Sequence, residues 1–494
     1  MAALEKENQA LREQIAKERV KSSLLQEKIN LLLSQKYAAS SEKVSVDQLG
    51  LFNEAEELNS EVEPEAATET TTVKSHERQS RPRVSTPAEL PREEIVHDLP
   101  DSEKVCPKDG TELEVIGSDD HEQLDIIPAQ IKVLVHRRLK YACPCCEQHI
   151  VTATKPKQPI EKSIASPGLL AYIAVQKYAD ALPLYRQSEM FKRIGIVLDR
   201  TNLANWMVKC GELVQPLINL LTEHIQQQPL IHMDETTLQV LDEPGKSAQS
   251  KSYLWLMATF GMQSAMVYHY RDNRSQTVPI ELLTEKASAV MVDGYEWYQK
   301  ACDTYHIQRL GCWAHARRKF VEAQKIQKKT GKADQAVAFI QKLYAIEKRI
   351  KDQPPDERYR VRQQESAPII EKLKAWKDKS LSTVLPTTAL GKALTYLNNQ
   401  WDRLVGYLDD GNYPIDNNPA ERAIRPFTIG RKNWLFSKSQ AGAKASANLY
   451  SLIETAKAND LNVYEYLRFI FKELPNAQSV EDIDALLPWN ITLG

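Results

Sequence analysis

No stretch of the 494 residues approaches the roughly 18 consecutive apolar positions of a membrane-spanning helix. The charged N-terminus likewise lacks the apolar run of a secretory signal. Cysteine is scarce: seven in all, three of them at 143, 145 and 146, which excludes a disulfide framework and implies a reducing compartment. A basic excess is also missing, since the formal net charge is −2. That average hides a segregation. From Glu54 to Lys104 stand 14 acidic and 6 basic residues, a net of −8, so the remainder carries +6. A chain of this length and composition reads as a water-soluble protein of several domains.

The first 35 or so residues are nearly free of helix breakers. Leu4, Leu11, Leu25 and Leu32 fall seven apart, with Ile15 and Ile29 on the alternate seam. The pattern is that of a short coiled coil, and it predicts self-association as a dimer or larger; an amphipathic helix docked on its own protein has the same spacing. This segment is taken as 1–53. An acidic Glu-, Thr-, Ser- and Pro-containing linker over 54–89 has too few large apolar residues to fold.

A small domain is expected over 90–155. Cys106-Pro107-Lys108-Asp109 opens it and Cys143-Pro144-Cys145-Cys146 closes it, around a strand-like stretch from Gln130 to Leu139. Two cysteine turns about a hairpin describe a zinc ribbon. The first turn is incomplete, because Asp109 stands where a second cysteine belongs. Cys106, Cys143 and Cys146 with Asp109 or His121 could still close a tetrahedron around Zn²⁺, and a metal-free domain of the same shape is the alternative. Lys132, His136, Arg137, Arg138 and Lys140 make the stretch basic, suited to phosphate contact or to a solvated edge.

Residues 156–228 read as short helices, starting at Ser166-Pro167 and Asp199-Arg200-Thr201, in either a helical scaffold or a DNA-binding role. From Pro229 the pattern turns to strands: Leu230–Leu241, Tyr253–Phe260, Ala265–Tyr270 and Ala289–Val292. These predict an α/β core over 229–436, with a charged helical insertion at about 320–394. Asp234 lies in the middle of the first strand, where a carboxylate is costly unless it is solvated, paired or bound to metal. Asp293 ends the fourth strand, the position at which open α/β sheets place their chemistry. Two amphipathic helices complete the chain over 437–494.

The stretch from Ile415 to Phe436 ties these acids to a third. Asn418 can cap a helix, Pro419 fits its first position, and Glu421 follows three residues after the cap, with Arg425 one turn on. Beyond Pro426 a strand-like basic and aromatic segment is expected: Arg431, Lys432, Trp434, Phe436. A carboxylate among cations suits metal-dependent phosphoryl transfer on a polyanion; a helix cap with its ion pair is the plainer reading.

The ordered motifs Q-L-G-L-F-N-E-A-E (48–56), L-D-I-I-P-A-Q (124–130), K-Y-A-D-A-L-P-L-Y-R-Q (177–187), H-M-D-E-T, V-D-G-Y, C-W-A-H-A-R-R-K-F, D-N-N-P-A-E-R-A-I-R-P, G-R-K-N-W-L-F and S-L-I-E-T-A-K-A-N span nearly the whole chain. On them the chain resembles the large transposase of the insertion sequence 66 family, one of the DDE transposases. The resemblance implies an RNase H-like core whose acids map to Asp234, Asp293 and Glu421, separated by 59 and 128 residues. It implies Mg²⁺ or Mn²⁺, two ions being clamped by the acids across an in-line displacement at phosphorus. Glu235 and Asp416 stand in reserve as alternative acids.

The partners implied are double-stranded DNA, as transposon ends and target, and small companion proteins of the same element. The place implied is the bacterial cytoplasm at the nucleoid. His315, Arg317 and Arg318 are expected near phosphates; Arg425, Arg431 and Lys432 are expected to grip the transposon end, with Trp434 stacking on an unpaired base. A nuclease without strand transfer and a catalytically decayed DNA-binding repressor remain the other readings.

Overall fold

The computed structural model describes residues 92–97, 104, 108, 123, 130–142, 150–326 and 331–491. The expected coiled coil, the acidic linker and the ligand candidates Cys106, Asp109, His121, Cys143 and Cys146 lie outside the described residues. One compact unit ends at Lys155 and another runs from Pro156 onward.

In the first unit, β1 (Lys140–Ala142) and β2 (Ile150–Thr152) pair antiparallel, Tyr141 opposite Val151. Ala153 N–H extends the ladder to Leu139 O at 2.9 Å, and Arg138 Nε donates to Ala153 O at 2.6 Å. The strand therefore falls later than the Gln130–Leu139 expected. Residues 130–139 are exposed and form no strand of their own. Their alternation fits a strand, but only Leu139 finds a partner.

The larger unit opens with α1 (Pro167–Ala174), a π-turn over Val175–Ala179, α2 (Leu184–Arg193), α3 (Arg200–Leu213) and α4 (Gln215–Gln226). Both expected starts hold. Ser166 Oγ accepts from Leu169 N–H at 3.2 Å, and Asp199 precedes α3. The sheet follows: β3 (Leu230–Asp242), β4 (Lys251–Thr259) and β5 (Ala265–Arg271) form an antiparallel meander. After α5 (Thr277–Leu282), β6 (Ala289–Val292) joins the other side of β3 in parallel. After α6 (Tyr298–Tyr305), β7 (Gln308–Gly311) adds parallel to β6. The order is β5-β4-β3-β6-β7. β7 was not foreseen. Four residues are too few for an alternation to register, and one of them is an arginine.

β3 is 13 residues long but meets β6 only at Leu230–His232. It meets the short parallel β8 (Ser437–Ser439) only at Val240 and Asp242. Between them its edge is open, and the functional side chains collect at this gap.

The insertion runs through α7 (Trp313–Ile326), α8 (Lys332–Ile350), α9 (Pro355–Val361), α10 (Ala367–Leu381), α11 (Ala389–Asn399) and α12 (Trp401–Val405). It begins earlier and ends later than the 320–394 expected. Its own core contains Phe320, Ile340, Leu373, Leu394 and Leu404. At its base the chain returns to its start: Trp313 N–H donates to Ile415 O at 3.2 Å, and Asn417 N–H to Cys312 Sγ at 3.3 Å. β6 is buried along its whole length and shared. Ala289 and Met291 face the insertion core, while Val290 and Val292 face the core formed by β3–β5 and the flanking helices.

α13 (Asn418–Trp434) does not give way to a strand at Pro426; it continues through it. Ala420, Ile424 and Phe427 recur at helical spacing and are buried. Proline inside a helix costs about 3 kcal/mol. Burying Ile424 and Phe427, at roughly 1.5–3 kcal/mol each, offsets that. The helix also starts one position before the one expected: Asn417 is the cap residue and its side chain makes no capping bond.

α14 (Gln440–Ala458) is buried on nearly all sides rather than amphipathic, because it lies between β5 and α3. Ser451 and Thr455 hydroxyls accept from Tyr268 and Met266 N–H, which satisfies the free edge of β5. A Cβ at Gly211 would stand 2.4 Å from Ala445 Cα, so only glycine lets α3 and α14 approach this closely. α15 (Val463–Glu473) and α16 (Val480–Asp484) end the fold, α15 capped by Asn462. The helices before β3 and after β8 share one core with the sheet. Among the described residues no helix is long and apolar enough to cross a membrane.

Candidate active site

The parallel register pairs His232 with Met291. Two residues further on each chain, at the carboxyl ends of β3 pairing and of β6, come Asp234 and Asp293. The loop after β6 is fixed by its own backbone. Asp293 Oδ1 accepts from Tyr295 N–H at 2.8 Å, and the buried Arg309 of β7 donates to Asp293 O and Tyr295 O at 3.1 and 2.7 Å. Glu421 enters from the first turn of α13 and is buried.

α13 is seated on the open edge of β3. Asn417 Nδ2 donates to Met233 O at 2.9 Å, and its Oδ1 meets His232 Nδ1 at 2.9 Å. At the other end Arg431 Nη1 donates to Thr237 O and reaches Thr236 Oγ1 at 3.1 Å. These contacts satisfy carbonyls that lack a strand neighbour. Asp416 locks the approach: it accepts from Asn418 N–H at 3.1 Å, Asn418 Nδ2 at 2.9 Å and Tyr344 O–H at 2.7 Å.

Asp234 and Glu235 are chain neighbours with different surroundings. Glu235 is tied to Arg274, whose Nε donates at 2.8 Å, and to the Tyr298 hydroxyl. Asp234 has one backbone N–H, from Glu235 at 2.8 Å. Burial first, and then the negative charges of Glu235, Glu421 and Asp293, hold its carboxyl well above the usual range. Glu235 is raised too, by burial and by Asp293, against the pull of Arg274 and Tyr298.

Glu421 faces two nitrogen-bearing side chains of α7, one imidazole and one guanidinium: His315 Nδ1 lies 3.4 Å from Oε1, and Arg318 Nη2 3.3 Å from Oε2. Burial lowers the pKa of His315, with Arg318 and Lys319 adding to that and Glu421 opposing it. Arg317 Nε and Nη1 are buried without a hydrogen-bond partner among the described residues.

A model described as Transposase IS66 family matches residues 162–445. The chain belongs to that family. The zinc-finger binding domain of transposase IS66 matches 103–147, the IS66 C-terminal element 451–489, and a model described as Transposase C of IS166 homeodomain 24–95. Two similar proteins come from Sinorhizobium fredii (strain NBRC 101917 / NGR234). Uncharacterized protein y4qI is 34% identical over 427 residues, covering 84% of this chain and 78% of its own length. Uncharacterized protein y4jD is 32% identical over 419 residues, covering 82% and 81%. Membership makes this a transposase, a DNA-cleaving class of enzyme that uses divalent metal, and gives it DNA as a partner and a zinc-finger module.

In this IS66 transposase the fold brings Asp234, Asp293, Glu421, His315 and Arg318 together. Arg425, Arg431, Lys432 and Trp434 lie along α13 instead. Arg431 serves the β3 edge; Trp434 packs edge-on against Phe427 with centroids 5.3 Å apart and carries Lys177 Nζ 5.7 Å over its ring. Arg137 and Arg138 are exposed on the small unit. Sequence reasoning missed Asn417 and Cys312. Both were visible in the D-N-N-P and C-W-A-H strings, but neither residue type announces a tertiary contact made across a long insertion.

Proposed function

We propose that the chain cuts and joins DNA strands by metal-dependent phosphoryl transfer at Asp234, Asp293 and Glu421, within an RNase H-like core. One observation carries the reading. Asp234 is half-buried with no cation of its own among the described residues, and desolvation together with three neighbouring carboxylates holds it well above its usual pKa. Such a cluster fits cations better than it fits bare charge. The donors are all carboxylate oxygens, the set preferred by Mg²⁺ or Mn²⁺. Asp234, Asp293 and Glu421 would hold the divalent ions, which would supply charge stabilisation at the scissile phosphate.

The remaining groups position that site. Arg309 fixes the loop that presents Asp293. Asn417 and Arg431 pin α13 to β3, which sets where Glu421 enters. His315 and Arg318 hold the Glu421 carboxylate between them. Arg317, with two buried unpartnered nitrogens, is suited to a phosphate oxygen. Arg137 and Arg138, exposed within the zinc-finger module, are suited to the duplex backbone at terminal repeats.

The test is nicking of labelled transposon-end DNA with Mg²⁺, wild type against Glu421→Gln, with end binding followed by mobility shift. Loss of nicking with binding retained is the expected result. Normal nicking by Glu421→Gln would overturn the assignment. Strand-transfer products in the same gel separate a transposase from a simple nuclease.

A further inference from the structure

The side of Glu421 that faces α7 has chemistry unlike the side that faces the aspartates. Glu421 Oε1 and His315 Nδ1 oppose each other at 3.4 Å, both buried, yet neither has a hydrogen-bond partner. The Cys312 thiol stands beside them: sulfur, imidazole nitrogen and carboxylate oxygen all lie within 4.8 Å of one another. Nitrogen and oxygen ligands at about 2.0–2.1 Å from a tetrahedral ion stand roughly 3.4 Å apart, which is the separation found here. All three side chains come from well-fixed elements. Cys312 immediately precedes α7 and His315 lies in its first turn, three residues on; Glu421 lies in the first turn of α13. Cys312 Sγ already accepts the Asn417 N–H at 3.3 Å, the kind of outer contact that orients a ligating sulfur.

We propose that Cys312, His315 and Glu421 form a binding site for a thiophilic divalent ion of the zinc class, and that its occupancy withdraws Glu421 from strand cleavage. Sulfur and imidazole favour zinc or cobalt over magnesium and manganese, so the two sides of one carboxylate serve different ions. Binding exchanges the thiol proton for the ion, and the site is complete apart from one open position. The binding half stands on the donor geometry alone; the regulatory half rests on reading Glu421 as a cleavage carboxylate.

Cobalt titration of the full-length protein tests the binding half without DNA or turnover. The zinc-finger cysteines remain in every sample, so the comparison is wild type against Cys312→Ser and, separately, His315→Gln, with far-ultraviolet circular dichroism to confirm folding. Wild type should bind one more cobalt ion than either variant. Its thiolate-to-cobalt charge-transfer absorption should exceed that of Cys312→Ser. Affinity at this site should fall by at least about 10–100-fold, the loss known even for an outer-shell partner. Equal stoichiometry and identical spectra in all three folded proteins would overturn the site.

Zinc is then added to the magnesium-dependent nicking reaction, each variant being referred to its own zinc-free rate. Nicking by wild type should be lost as the site fills, and nicking by Cys312→Ser should persist at the same zinc concentration. Cobalt uptake without zinc inhibition would overturn the regulatory half. Failure of wild type to nick with magnesium alone would instead remove the cleavage reading, and the regulatory half with it, while the cobalt comparison still decides the site.

Discussion

Two largely enclosed glutamates of this molecule, Glu421 buried and Glu347 half-buried, meet arginine in opposite ways. In the insertion, Glu347 takes Arg362 side-on, with Nε and Nη2 at 2.8 and 2.7 Å, and the remaining Arg362 Nη1 donates to the carbonyls of Tyr407 and Asp410. Every guanidinium nitrogen has a partner, and Arg362 is wholly buried. At the site, Glu421 is held end-on at 3.3 Å by Arg318 and at 3.4 Å by His315, with Oε1 and Nδ1 both lacking a hydrogen bond. The first pair is closed and holds helices together. The second leaves ligand capacity unused in a buried place, where unmade bonds are expensive. A residue arranged for structure is saturated; a residue arranged for chemistry is left short.

The comparison can be broken from either side. Arg362→Met should have the largest effect on stability, about 3–5 kcal/mol, because it strands Glu347 without its bidentate partner. Urea unfolding followed by tryptophan fluorescence measures it, and a change below 1 kcal/mol, on the order of a surface pair, would remove the contrast. Glu421→Gln should instead leave the unfolding midpoint close to wild type while cleavage falls by about 10²–10³-fold or more, the scale of one lost electrostatic contribution at a reacting centre. Gly211→Ala, remote from both glutamates, calibrates packing alone: its Cβ meets the Ala445 backbone at 2.4 Å, so a loss of about 1–3 kcal/mol is expected in the same urea assay.

The smallest expected effect is in pH. Burial, and then the Arg271 charge, lower His269 from 6.5 to about 3. The unfolded chain binds the extra proton between those values, so this stability is complete above pH 6.5 and is lost as pH falls towards 3. His269→Gln should make urea midpoints fall less steeply across that window. Some slope should remain, because buried His232, lowered to about 4, titrates in the same direction.

The sequence disclosed the acids more readily than the frame that joins them. Asp234 and Asp293 could be singled out because a carboxylate in a buried strand, or at a strand end, needs a reason wherever it occurs. Glu421 could be singled out by its place after Asn-Pro. What could not be read was anything dependent on contacts across the insertion. Cys312 looked like one scattered cysteine, although it touches Asn417 across 105 residues. β7 hid inside a basic stretch because its arginine is buried to hold backbone carbonyls. Pro426 signalled the end of a helix, and local preference lost to the buried face that Ala420, Ile424 and Phe427 provide. Arg431 and Trp434 looked like residues facing a nucleic acid; their described contacts are with β3, Phe427 and Lys177.

A helical insertion with its own core might be thought to melt by itself, as an appended domain does. β6 prevents that. Alternate residues of one four-residue strand belong to the two cores, Ala289 and Met291 to one, Val290 and Val292 to the other. Opening either core strips one face of β6 and loosens the strand that ends at Asp293. The two halves therefore form a single cooperative unit, and the β6 amides should be among the slowest to exchange with deuterium, opening only when the whole assembly does.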